Sequence, residues 1–281
     1  MNSYLEYYKD IPVSFSLQLR NMFRSSLIKT LSFFQSNDGT NKGIQFLYFH
    51  HIFNDEIILF ENCIIELMKT YKFISYSNAV KMIQSNSIDD LYVCFSSDDG
   101  FKNNLNSLTV FEKYGISACF FVNPKFISET SRDKLIAITN SIYNLGSKPI
   151  EFLKWEELEL LLKNNHEIGS HTLSHKRLSS LSIDEQEVEI IQSKSILEAN
   201  IGKIDHFAFP YGTMKDINEY SLEIINKAGY KSCASAIRGF YNNYFHNQIT
   251  MIKRDPIVFS NYQQQLNYFN KKNIRKSKQK T

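Results

Sequence analysis

Little in these 281 residues is arranged like a disulfide framework or a cysteine-based metal site: there are only four cysteines, Cys63, Cys94, Cys119 and Cys233, scattered and without a C-x-x-C pair. Cys94 and Cys119 fall inside apolar runs, so the four read as reduced core residues. Long hydrophobic runs are missing as well. No stretch approaches the roughly 20 apolar residues of a spanning helix. The opening Met1-Asn-Ser-Tyr-Leu-Glu6 lacks a basic segment followed by an apolar one, which predicts a cytoplasmic protein rather than an exported one. There is no internal repeat and no long low-complexity linker. The basic surplus is confined to one end: residues 271–281 hold six cations and no acid, and without them the formal net charge falls from +3 to −3. A weakly acidic body offers no extended basic surface, which argues against nucleic acid as a partner. The tail reads as solvated, or alternatively as a contact to lipid headgroups or to a phosphate-bearing substrate.

What the chain does have is a pair of short segments rich in metal-binding donors. Phe95-Ser-Ser-Asp-Asp-Gly100 brings two carboxylates, and Ser170-His-Thr-Leu-Ser-His175 brings two imidazoles at H-x-x-x-H spacing. One carboxylate and two imidazoles leave coordination positions open on a divalent cation, which is the pattern of a catalytic rather than a structural site. The second carboxylate is then spare to act as a base. Taken singly, Asp-Gly is a turn signal and paired surface histidines arise by chance. Both segments, however, follow strand-like runs, 91–95 and 167–170, and so lie at strand C-terminal ends, where barrel enzymes place their chemistry.

The wider pattern alternates apolar runs with amphipathic stretches. Strands are expected over 44–49, 91–95, 117–122, 167–170 and 207–209, and helices over 56–70, 105–114, 155–164, 183–200 and 218–228. Such alternation implies an α/β fold with a largely parallel sheet and helices outside. Residues 15–34 set Phe15, Leu19, Met22, Phe23, Leu27, Leu31 and Phe34 at helical spacing. The plainer reading is an ordinary helix packed against the outside of the domain; the alternative is a peripheral helix on the inner face of a membrane. The expected organisation is an N-terminal extension over 1–43, a catalytic domain over 44–260 and a basic tail over 261–281.

A third segment, Phe207-Ala-Phe-Pro-Tyr-Gly212, completes a familiar order. With Leu47-Tyr-Phe-His-His-Ile52, Ser96-Ser-Asp-Asp-Gly100, Tyr114-Gly-Ile-Ser-Ala-Cys-Phe-Phe-Val122 and Asn165-His-Glu-Ile-Gly-Ser-His-Thr-Leu-Ser-His175, it makes residues 44–258 resemble the polysaccharide deacetylases of carbohydrate esterase family four. The resemblance implies a distorted seven-stranded (β/α) barrel. It also implies Asp98 as general base for the attacking water, and Asp99, His171 and His175 as ligands of one divalent metal. Zinc is the expected metal, and cobalt, nickel, iron and manganese tolerate the same donors. The Tyr211 backbone N–H would hold the oxyanion, with Thr172 and Pro210 supporting the ligands from behind.

The chain departs from that pattern in places. Ser97 stands where the first motif commonly has phenylalanine, and Phe207 where many members carry an arginine that orients the catalytic aspartate. Neither the later Asp-rich motif nor the Leu-x-His that supplies an acid is found. His50 is the preferred acid, with neighbouring His51 competing, since only one of two successive strand residues can face a site. His246 is a further candidate, while His166 and His206 read as structural. The implied activity is removal of an N-acetyl group from an amino sugar during surface polysaccharide assembly, of O-antigen or capsule type. The alternatives are hydrolysis of another amide, such as a formamide or cyclic imide, and a catalytically silent member that binds glycan or a partner enzyme.

Overall fold

The structure, a computed structural model, describes residues 3, 42–143, 148–241 and 249–267. In chain order its elements are β1 (Gly43–Phe49), α1 (Ile57–Met68), β2 (Lys72–Phe73), α2 (Tyr76–Gln84), β3 (Leu91–Ser97), α3 (Leu108–Tyr114), β4 (Ala118–Val122), α4 (Arg132–Tyr143), α5 (Trp155–Lys163) and β5 (Glu167–Ser170). There follow α6 (Ile183–Glu187), a π turn (Val188–Gln192), α7 (Ser193–Ile201), β6 (His206–Ala208), α8 (Glu219–Lys227), β7 (Ser232–Ala234), β8 (Phe240–Tyr241), β9 (Thr250–Ile252) and β10 (Asp255–Pro256). The expected helix at 15–34, the cations of 271–281 and His246 lie outside the described residues.

One sheet organises the chain, in the order β10-β1-β3-β4-β5-β6-β7-β9, with β2 on β3 and the antiparallel β8 on β1. Its parallel frame of β1, β3, β4, β5, β6, β7 and β9 matches the seven-stranded barrel that the resemblance implies. The two ends of the path, β9 and β10, are consecutive in the chain and separated only by Lys253 and Arg254. The sheet therefore curls until its edges meet at that dipeptide.

Side chains alternate across each strand, and the two faces fill two cores. Leu47 and Phe49 of β1, Val93 and Phe95 of β3, and Phe120 and Val122 of β4 face the helices, in a large cluster with Phe60, Phe111, Leu158, Leu161 and Leu197. Leu266, past the boundary expected at 260, is buried in this outer core. Ile44, Phe46, Cys94, Cys119, Phe121, Ala208, Ala234 and Ile252 face inward, where Tyr76, Ala79, Val80 and Ile83 of α2 fill the space. Burying side chains of this size contributes about 1.5–3 kcal/mol each, so both faces of the sheet are heavily committed to packing. All four cysteines are buried and unbridged. Among the described residues no helix is long and apolar enough to cross a membrane.

Candidate active site

The inward parity that packs the barrel also aims the polar residues at its open end. Continuing β1 by twos from Phe46 gives Tyr48 and His50; continuing β3 from Cys94 gives Ser96 and Asp98; continuing β9 from Ile252 gives Arg254. Register pairs Phe46 with Cys94 and Tyr48 with Ser96, so these series stand side by side. All run toward the C-terminal ends of parallel strands, and there they meet in an open cleft of about 470 Å³ lined by Tyr48, His50, Asp98, Asp99, His171, His175, Tyr211 and Arg254, among others.

Asp99, His171 and His175 converge, with ligand atoms all within 4.8 Å of one another. Asp99 Oδ1 lies 3.3 Å from His171 Nε2 and 3.1 Å from His175 Nε2, and all three residues are buried. His171 Nδ1 is 2.8 Å from the Ala208 carbonyl. Facing an acceptor, Nδ1 keeps its proton, which leaves Nε2 as the ring atom turned toward the carboxylate. Three electron-rich atoms this close in a buried setting call for a cation between them, and two imidazoles with a carboxylate are a donor set that divalent metals accept. The residues fit a metal.

Asp98 stands beside this cluster and is not one of its three donors. Both its oxygens are held by the guanidinium of Arg254, Nη1 to Oδ1 and Nη2 to Oδ2, each at 2.7 Å. Arg254 is itself 1% exposed. Its Nε–H donates to the Ser235 carbonyl at 3.0 Å, Nη1 also donates to Ser96 Oγ at 3.0 Å, and the rings of Tyr48 and Phe121 lie 4.6 and 5.3 Å from its central carbon. Burial by itself pushes the Asp98 carboxyl up, but the Arg254 charge, the His171 imidazole and the Arg254 hydrogen bonds outweigh it and hold Asp98 below the ordinary carboxylate range. Asp99 is held well below that range, because its histidine neighbours outweigh its burial.

Arg254 is the residue of this cleft that sequence reasoning missed. The expectation that the orienting arginine is lost with Phe207 is corrected: Phe207 points outward, packed against Tyr230 in the outer core, and a guanidinium reaches Asp98 from the seam between β9 and β10. The available signal was an arginine two residues past a three-residue strand, at inward parity.

The two histidines of β1's end divide as strand alternation requires. His50 lines the cleft, with Nε2 at 4.0 Å from Asp99 Oδ2 and its side chain 39% exposed. His51 turns away, stacked 4.3 Å from Phe101, and burial lowers its pKa to about 4. His166 and His206 are also buried imidazoles lowered to about 4, the first accepting from the Ala118 N–H, the second between Ser77 and Ser232 on the far side of the barrel.

Tyr211 follows the buried Pro210 and adopts a left-handed conformation, φ 65°, stacked under the Arg177 guanidinium. Its backbone N–H has no hydrogen-bond partner among the described residues. Gly212 follows at φ 71°, and a Cβ there would fall 2.5 Å from the Ala236 nitrogen, so only glycine lets this turn close. Thr172 Oγ1 accepts from the His175 N–H at 3.0 Å and so spans the loop between the histidines. Of the seven non-glycine residues with positive φ among those described, Asp99, Thr172, His175 and Tyr211 belong to this cleft or its support. Such conformations cost free energy and persist where the surrounding structure enforces them.

The fold is an α/β barrel with this cleft at the C-terminal ends of its parallel strands, and comparison with known proteins gives the family. The family model described as polysaccharide deacetylase matches residues 85–233, which is more than half of the chain, and the protein belongs to that family. Among solved structures it is similar to IcaB from Ammonifex degensii, at 16% identity and a TM-score of 0.66, covering 82% of this chain and 97% of that one. It is also similar to the deacetylase PplD of Streptococcus pyogenes, at 18% identity and a TM-score of 0.64, covering 81% and 98%. A polysaccharide deacetylase from Bacillus cereus follows, at 17% identity and a TM-score of 0.59, covering 80% and 68%. At these identities the likeness establishes a shared fold. No curated protein matches the chain.

Proposed function

We propose that the protein is a metal-dependent N-deacetylase that removes an N-acetyl group from an amino sugar of a glycan or glycan precursor. The observation that carries this reading is the pairing of a three-donor cluster, Asp99, His171 and His175, with a separate carboxylate, Asp98, whose orientation and ionisation are fixed by Arg254. A divalent cation, zinc being our expectation, would be held by those three residues and would supply Lewis-acid polarisation of the amide carbonyl and acidification of water.

The chain's own groups account for the remaining steps. Asp98, ionised at neutral pH, accepts the proton of the attacking water; Arg254 occupies one lone pair of each carboxylate oxygen and leaves others free. The Tyr211 N–H donates to the oxygen that becomes negative as the carbonyl carbon turns tetrahedral. His50, facing the cleft from β1, gives a proton to the departing amine, so acetate and a free amino sugar are the products. Burial of the carboxylates in a cleft walled by Phe209, Tyr48 and Ile142 strengthens each of these interactions.

Replacement of His171 by alanine removes one of three donors, and metal content by atomic absorption should fall well below one equivalent. Full metal content would break the ligand assignment. His50→Ala should keep its metal and lose about 10²-fold or more in kcat; a loss of metal instead would make His50 a ligand rather than an acid. The substrate assignment is tested by identifying products from N-acetylhexosamine oligosaccharides alongside formamide and cyclic imide substrates. Acetate from the sugars supports the reading. Turnover of only the other amides would replace it, and a metal-loaded protein inert to all would favour a glycan-binding member without catalysis. We further place the reaction at the cytoplasmic side of surface polysaccharide assembly, which formation of a deacetylated intermediate inside the cell would test.

A further inference from the structure

Between the two histidine ligands runs the tripeptide Thr172-Leu-Ser174, and its polar backbone is held from outside the loop. On one side the Asn123 side-chain amide donates to the carbonyls of His171 and Thr172, the latter at 3.1 Å. On the other side three contacts converge on one residue, Glu189. The Leu173 N–H donates to the Glu189 carbonyl at 2.9 Å, the Ser174 N–H donates to Glu189 Oε2 at 2.8 Å, and the Ser174 hydroxyl donates to Oε1 at 2.5 Å. Glu189 is 3% exposed, and it sits in the π turn between α6 and α7. A carboxylate is costly to bury unless its oxygens are occupied, and a π turn inside a helix is a costly irregularity that recurs at functional sites. Both features are explained if the helix is shaped to hold this loop, in which Thr172 and His175 keep left-handed backbones.

We infer that Glu189 is a positioning residue for the metal site: it touches neither substrate nor metal, but fixes the segment that sets the separation and aim of His171 and His175. The inference rests on the proposed metal site. Supporting groups behind metal ligands commonly contribute 10–100-fold to metal affinity or activity. A control on the same helical run is Gln186, which is also buried and polar but bonds to Ser221 and to the Leu181 carbonyl, away from the loop.

The experiment measures zinc affinity by competition with a chromophoric chelator, together with thermal midpoint, for wild type, Glu189→Ala, Glu189→Gln, Ser174→Ala and Gln186→Ala. We expect about 10–100-fold weaker zinc binding in Glu189→Ala, smaller losses in Glu189→Gln and Ser174→Ala, and unchanged affinity in Gln186→Ala whatever its midpoint. Should Glu189→Ala fail to fold, the two milder variants decide. Unchanged zinc affinity in the Glu189 and Ser174 variants, or an equal loss in Gln186→Ala, would overturn the role. Wild type that binds no zinc would instead overturn the metal site itself.

Discussion

Replacing Arg254 with methionine should shift the acid limb of kcat/KM upward by about 1–3 pH units and lower the thermal midpoint by on the order of 10 °C. The sign follows from Asp98. Arg254 holds its folded-state pKa below the unfolded value, so the pair's contribution to stability is present above the ordinary aspartate range and is lost as pH falls through the folded pKa. Without the guanidinium, burial is opposed only by the neighbouring imidazoles of His171 and His50, and the carboxyl moves up. The base is then protonated at pH values where the wild type has it ionised. The stability loss arises because removing one partner of a buried pair leaves the other charge uncompensated, at about 3–5 kcal/mol. Arg254→Lys keeps a charge but not the two-pronged geometry, and should fall between the two. An Arg254→Met enzyme with the wild-type acid limb would mean that the pair is structural and that Asp98 is not the group titrating.

Asp98→Asn should cost about 10²–10⁴-fold in kcat while leaving the metal in place. Asparagine is nearly isosteric and can still accept from Arg254 through its single oxygen, so the change removes the proton acceptor with little change of shape. The three donors that would hold the metal, Asp99, His171 and His175, are elsewhere. Metal content and turnover measured on one sample separate the outcomes: loss of metal would make Asp98 a ligand, and turnover within a few-fold of wild type would place the base on another residue.

Much of this was legible in the sequence, for identifiable reasons. Strands 44–49, 91–95 and 117–122 are short, mostly apolar runs, and the helices at 155–164, 183–200 and 218–228 carry clear amphipathic spacing; the structure has elements at all of these places. Short elements gave no such signal. The strands β7, β9 and β10 have three, three and two residues, too few for a period to show, and they become strands because neighbouring edges and the barrel's curvature pair them. That is why Arg254 went unseen: its position is defined only once β9 is known to be a strand and to end beside β1.

The donor segments were legible because Asp98-Asp99-Gly100 and His171 to His175 each keep their chemistry within a few residues. The choice between His50 and His51 was not, since it needed the parity of β1 fixed by its pairing with β3. Glu189 lay inside an ordinary helical pattern, and nothing in its spacing marks the π turn that aims it at Ser174.

In the proposed reaction a metal held by Asp99, His171 and His175 would work with Asp98 to release acetate from an N-acetylated sugar. The most direct measurement is acetate release from N-acetylhexosamine oligosaccharides by protein stripped of metal and then reloaded with zinc or cobalt, beside Asp98→Asn treated the same way. No release is expected from stripped protein, with recovery on reloading the wild type and no recovery in the reloaded variant. Acetate release undiminished by stripping, or equal in Asp98→Asn, would contradict the proposal.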